Sequence, residues 1–392
     1  LCVALDEEAG AGRARIRLGG RVYSTPEWQR VGEAVEAVRI LLDAIDDALG
    51  EIAEAMGDGA ERATPESELG LEAAGAQAQV AELCMALGTV MDDDPGAGYV
   101  LWAETVRTRW GELWRLAAAQ IDVGPALRRA VYEKRESVIM TSATLTVDGS
   151  FAYMKQRLGL DGPEAVPREL VVPSPFHYRE QLLLCVPQDI PTRGEVGRNE
   201  ALADALMQIA RLAGGGTLLL FTSRSQMEHT YERIRGPLAE EGLSPICQHI
   251  SGPRTWLLQQ LRDREKTVLF GLKSFWEGVD VPGEALRCVV ITKLPFQVPT
   301  DPIVQSRCEL AAKREAQGGS DYYIPETILA FKQGFGRLVR SMTDQGVVFV
   351  LDNRLITRNY GQRFFASIPD CSIYVSDFHD CLCEAERWLK RA

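Results

Sequence analysis

The strongest constraint on this chain is an alternation of short, β-branched apolar runs with amphipathic helical stretches, from about residue 170 almost to the end. Strand patterns fall at 181–186, 217–222, 245–249, 267–271, 287–292 and 346–352, and helical patterns at 198–213, 225–241, 254–263 and 325–340. This predicts an α/β fold: a parallel sheet with right-handed crossovers and helices on both faces. On such a sheet ligands gather beyond the carboxyl ends of the strands, so chemistry is sought first among strand-end residues.

Upstream the texture differs. Apolar residues Val31, Val35, Val38, Leu42, Ile45 and Leu49 recur at helical spacing and predict a helix over 26–56, started by Pro26 after Ser24 and Thr25. A Gly/Pro/Glu-rich break at 57–68 precedes a second helix at 69–90 and an acidic turn, Asp92-Asp93-Asp94-Pro95-Gly96. Residues 1–100 hold 20 Asp/Glu against 7 Arg and no Lys, a net of −13; the whole chain is −12, which leaves +1 for 101–392. The acidity therefore belongs to one helical module, where it either keeps the helices soluble or forms an acidic partner site. The remainder is neutral enough to hold a local basic groove. Trp102, Trp110 and Trp114 then crowd a short span, a helix is expected at 125–135, and Ser137 to Thr141 reads as a strand.

At 392 residues the chain exceeds one ordinary core, and 46% hydrophobic with 25% charged residues is a soluble globular balance. No apolar run approaches the ~20 residues of a membrane span. Asp6, Glu7 and Glu8 argue against a signal peptide, and the start at Leu1 suggests a piece of something longer. Nine scattered cysteines, with only Cys381 and Cys383 close together, predict reduced thiols and a cytoplasmic protein; no metal-ligand spacing is evident.

No G-x-x-x-x-G-K-[ST] and no D-E-x-H occurs, so the chain lacks the phosphate cradle and the Mg²⁺-binding acidic pair of an ATPase. Gly214-Gly215-Gly216 stands between a helix and a strand, the wrong order for a cradle, and reads as a helix C-cap. Four segments remain. Thr141-Ser142-Ala143-Thr144-Leu145 ends the expected strand with three hydroxyls, and Thr222-Ser223-Arg224-Ser225 ends another. Lys273 and Ser274 lead into Phe275-Trp276-Glu277-Gly278-Val279-Asp280 after a third. Gln333 to Arg340 is placed on the helix at 325–340, with Arg337 and Arg340 three apart on one face. Two guanidinium groups so placed suit phosphate oxygens and the charge that spreads in phosphoryl transfer. Singly, each segment is also what a solvated face or a cap would show.

In this order the segments resemble the C-terminal part of a DinG-type helicase, in the superfamily 2 branch that also contains XPD. Further shared words are Ile121-Asp122-Val123-Gly124-Pro125, Ser174-Pro175-Phe176 and Lys293-Leu294-Pro295-Phe296. The resemblance implies that residues 1–98 are the remainder of a helical arch, and that 99–169 hold the last strand of motor domain 1 with its motif III. Residues 170–392 would then be the RecA-like motor domain 2. It further implies that Thr141, Ser142, Ala143 and Thr144 couple hydrolysis to domain movement. Thr222, Ser223, Arg224, Lys273 and Ser274 would touch the nucleic-acid backbone. Gly278, Asp280 and Gly336 would lie at the ATP, and Gln333, Arg337 and Arg340 would reach its phosphates as catalytic groups.

The activity so implied is ATP-dependent 5′-to-3′ translocation on single-stranded DNA with duplex unwinding, by a monomer acting on forked or flapped duplexes in repair or replication. ATP and Mg²⁺ would be held mainly by motifs before Leu1, as would any 4Fe–4S cluster, which the nine cysteines here do not supply. The rival is a non-catalytic module that grips a single strand or a protein without turning over ATP, motivated by the missing phosphate loop. An RNA-directed enzyme of the same superfamily is a third reading.

Overall fold

The computed structural model describes residues 15–57, 65–91, 98–109, 111–162, 166–191, 197–264, 266–276, 281, 283–316 and 321–391. Gly278, Asp280, Trp110 and the acidic turn at 92–96 lie outside them. In chain order the first elements are β1 (Arg15–Arg17), α1 (Pro26–Gly57), α2 (Pro65–Met91), β2 (Tyr99–Thr108), β3 (Gly111–Gln120), α3 (Gly124–Ala130) and α4 (Ala152–Leu158). Next come β4 (Leu182–Pro187), α5 (Arg198–Ala213), β5 (Thr217–Leu220), α6 (Arg224–Glu240), β6 (Ser244–Cys247), α7 (Arg254–Asp263), β7 (Thr267–Gly271) and β8 (Cys288–Ile291). The last are α8 (Pro302–Glu315), α9 (Tyr323–Phe335), β9 (Gly346–Val350), α10 (Gly361–Ser367), β10 (Ser372–Ser376) and α11 (Phe378–Leu389).

One compact unit comprises Leu1–Val123 with Val298–Gln317. Its helical hairpin, α1 with α2, accompanies an antiparallel sheet of order β1-β2-β3. β2 and β3 pair from Tyr99↔Gln120 to Thr108↔Gly111, and Ile16, Leu18, Trp28, Leu101 and Ala103 form the core. Glu104 is buried there between Arg15 and Arg115. Burial opposes its charge, but the hydrogen bonds from both arginines outweigh that and hold its carboxyl below the usual range. The unforeseen α8 belongs to this unit. Asp301 caps it by accepting from the Ile303 and Val304 amides at 3.0 and 3.3 Å. Arg15–Asp301 at 2.9 Å, Arg17–Glu309 at 2.7 Å and an Arg314–Asp122 pair tie it down.

The other unit, Gly124–Gln297 with Gly318–Ala392, carries a seven-stranded sheet among the described residues, in the order β10-β4-β9-β8-β5-β7-β6. Every pairing in it is parallel. Strands β4, β5, β7, β8 and β9 are buried at every position, which is why their sequences run apolar rather than alternating. Leu206 and Ile209 of α5, Met227 and Ile234 of α6, and Cys381 and Trp388 of α11 fill one core with them. The expected α/β fold with a parallel sheet is thus the fold observed, extended by β10 and α11.

Two local expectations fail. Residues 137–141 form no strand, and Ile139 is 91% exposed. An apolar run becomes a strand only where a neighbour takes its backbone hydrogen bonds, and no ladder among the described residues includes it. The strand expected at 137–141 is therefore not formed among the described residues. Second, the helix expected to reach 340 stops at Phe335, so Arg337 and Arg340 do not share a helical face.

Candidate functional site

Adjacent strands β5, β7 and β6 bring their carboxyl ends together. Beyond β5, the Phe221 amide donates to the Gly271 carbonyl at 2.8 Å, tying that strand end to β7. Ser223 then caps α6 by accepting from the Gln226 amide, with Thr222 and Arg224 exposed beside it. Arg224 is paired with Glu228 at 2.7 Å on the surface. Beyond β7, the helical turn Lys273–Trp276 exposes Lys273 and Ser274. Sequence reasoning missed the third member of this row, Gln248 beyond β6: its Nε2 donates to Ser274 Oγ at 3.0 Å, and its Oε1 accepts from the Leu272 amide at 2.8 Å. The sequence pattern ran the strand to 249 and so hid Gln248 within it; the strand in fact ends at Cys247.

The arginine segment is a turn stabilised by a buried carboxylate. Asp344, 5% exposed, accepts from the Arg340 and Ser341 amides at 2.8 and 2.9 Å and from Ser341 Oγ at 2.6 Å. Burial opposes its charge, but these bonds prevail and keep the carboxyl below its usual range. Within the turn, Arg337 Nε donates to the Gln333 carbonyl at 2.7 Å, and Arg340 Nε to the Arg337 carbonyl at 3.2 Å. The two side chains are aimed by their own backbone, and the Arg337–Gln333 bond closes the last turn of α9. Gly336 is the exposed residue at which the helix ends.

Trp276 ties these pieces together. Its Nε1 donates to the Phe221 carbonyl at 3.4 Å, at the end of β5. Its ring lies so close to α9 that a β-carbon on Gly334 would stand 2.6 Å from Cε3, and 3.2 Å from Leu220 Cδ1. The Thr222 segment, the Lys273–Ser274 turn and the Gln333 helix thus meet on one indole.

Thr141, Ser142 and Ala143 are exposed in a turn rather than at a strand end; Ser142 Oγ and Thr144 Oγ1 are 3.0 Å apart. Just beyond, Lys332 Nζ donates to the Thr146 carbonyl at 2.9 Å, which brings this segment to α9 beside Gln333. Burial pushes the Lys332 ammonium below its usual pKa. Farther along the row of strand ends, Asp352 beyond β9 accepts from the Leu294 amide at 2.9 Å and pairs with Arg354 at 2.6 Å, fixing the Lys293–Phe296 segment.

Among the described residues no group of three or more His, Cys, Asp or Glu side chains is placed to hold a metal ion. No helix among them is long and apolar enough to cross a membrane.

With this geometry in view, the family described as the helicase C-terminal domain matches residues 206–371. A curated relative from Haemophilus influenzae, an ATP-dependent DNA helicase named YoaA, is 36% identical over 275 residues, covering 70% of this chain and 41% of its own. An ATP-dependent helicase named DinG from Mycobacterium tuberculosis is 36% identical over 282 residues, with 70% and 41% covered. A Bacillus subtilis protein named 3′-5′ exonuclease DinG is 34% identical over 272 residues, with 68% and 29% covered. The chain therefore spans well under half the length of these relatives. Among solved structures, one titled XPD helicase aligns with 82% of this chain and 55% of its own at 13% identity and a TM-score of 0.49. The chain carries a helicase C-terminal domain, and over about 70% of its length it is similar to the proteins named as DinG and YoaA helicases.

Proposed function

We propose that this chain is the C-terminal part of an ATP-dependent DNA helicase that translocates 5′ to 3′ on single-stranded DNA and unwinds forked or flapped duplexes, in repair or replication in the cytoplasm. Residues 170–392 would be its second motor domain, 99–169 the end of the first, and 1–98 the remainder of an arch. The observation that carries this reading is the packing on Trp276. A turn suited to hold a DNA backbone (Lys273, Ser274) and a helix leading to two phosphate-seeking arginines share one indole without room for an added β-carbon. Close-packed contacts of this kind transmit displacement rather than absorb it.

In this reading Thr222, Ser223, Arg224, Lys273 and Ser274 hold phosphates without reading bases, and Thr141 to Thr144 couple the domains. Gly278, Asp280 and Gly336 border the nucleotide. Gln333, Arg337 and Arg340 complete the ATP site when it closes, stabilising charge on the transferred phosphoryl group, with Mg²⁺ held by residues of the longer protein. Arg337→Ala or Arg340→Ala in the full-length protein should cut single-strand-stimulated ATP hydrolysis about 10³-fold or more, the usual effect of losing such an arginine, with strand affinity nearly unchanged. Undiminished turnover in both variants contradicts the assignment. Binding without hydrolysis by the full-length protein would favour the non-catalytic module, to which the missing phosphate loop points.

A further inference from the structure

Next to the strand-end row, the loop at 248–253 and the first turn of α7 combine restraint with exposure. His249 has φ 69°, a left-handed conformation that a residue with a β-carbon adopts only when its surroundings impose it. The surroundings are specific. The Gln248 amide donates to the Phe270 carbonyl at 3.0 Å, its side chain bridges Leu272 and Ser274, and Arg254 Nε donates to the Ser274 carbonyl at 3.3 Å. The Arg254 guanidinium also lies 5.6 Å from the centre of the Phe275 ring. The loop is thereby fixed against the Lys273–Ser274 turn; it exposes Ile250 at 45%, and the first turn of α7 exposes Trp256 at 38%. The indole lies against the loop backbone, where a β-carbon on Gly252 would stand 3.0 Å from Trp256 Cε3. Glycine at 252, with φ 157°, leaves room for it.

An exposed indole on the first turn of α7, packed against a loop whose Gln248 is bonded to the exposed Lys273–Ser274 turn, offers the two features an unpaired nucleotide needs: a flat apolar face and, on the neighbouring turn, groups for a charged backbone. We propose that Trp256, flanked by Ile250, is a base-stacking platform for single-stranded DNA whose phosphates are taken by Lys273, Ser274 and Arg254. The inference rests on the single-strand reading above and adds a base-side wall to a site otherwise built only for the backbone. Stacking on such a face is tolerant of sequence, as a translocating motor requires.

The test compares binding of a labelled oligothymidylate with binding of an equally long strand that is abasic through its centre. Wild-type protein should prefer the strand with bases, and Trp256→Ala should lower oligothymidylate affinity about 10-fold while leaving the abasic strand and the salt dependence unchanged. Trp256→Phe should restore most of the loss, and unaltered melting temperatures would show that the fold is intact. If Trp256→Ala weakens both strands equally, or neither, the platform is wrong while the single-strand reading stands. If wild-type protein binds neither strand, both fall together.

Discussion

Gly334 and Trp276 illustrate how one pair of residues can set the spacing of a whole site. The indole occupies the space a side chain at 334 would need, and its Nε1 satisfies the Phe221 carbonyl at the end of a buried strand. Gly334→Ala must displace either the ring or α9, and overpacking of that kind costs about 1–3 kcal/mol. Chemical denaturation should register the loss; a variant as stable as wild type would show that the contact has more slack than its geometry indicates. Neither role is visible in the sequence. Trp276 and Gly334 lie 58 positions apart in different segments, and only the fold brings them together.

Among the elements, those read correctly from sequence have strong local signals. The helices at 198–213 and 254–263 and the strand at 267–271 match the structure end to end, because amphipathic spacing or a continuous apolar run agrees there with the tertiary role. The failures occur where tertiary contacts override the pattern. Leu338 and Val339 continue the helical spacing of α9, yet Asp344 draws the Arg340 and Ser341 amides into its own hydrogen bonds and the chain turns instead. The Ser137–Thr141 run has strand composition but no ladder to join. Helix α8 carried a readable signal, the Asp301-Pro302 start, which strand-and-helix counting passed over.

The Asp344 turn allows an element-level test. The folded protein holds this carboxyl below its usual pKa, so the charge contributes stability that is present above the ordinary carboxylate range and is lost as pH falls through the lowered value. Asp344→Asn should be less stable at neutral pH by about 1–3 kcal/mol, since amides built around a carboxylate would face a weaker acceptor. The gap between wild type and variant should narrow on acidification below about pH 4. Melting temperatures followed against pH would show this, and parallel profiles would mean that Asp344 does not organise the turn through its charge.

For the molecule as a whole, the parallel sheet and most of the strand-end row were legible because both depend on local pattern. What was not legible was how the chain divides. Helix α8 follows β8 of the parallel sheet, yet its ion pairs with Arg15, Arg17 and Asp122 place it in the unit built on the antiparallel sheet. Charges 192 to 292 residues apart in sequence meet only in three dimensions.

In the proposed reading the chain contributes arginines and a row of residues for the strand, and its sequence holds no G-x-x-x-x-G-K-[ST], so catalysis should appear only when the rest of the protein is present. The most direct measurement is single-strand-stimulated ATP hydrolysis by the full-length native protein beside that of this 392-residue chain. The account predicts turnover stimulated by single-stranded DNA in the former and none in the latter. Silence in both, with single strands still bound, would contradict it.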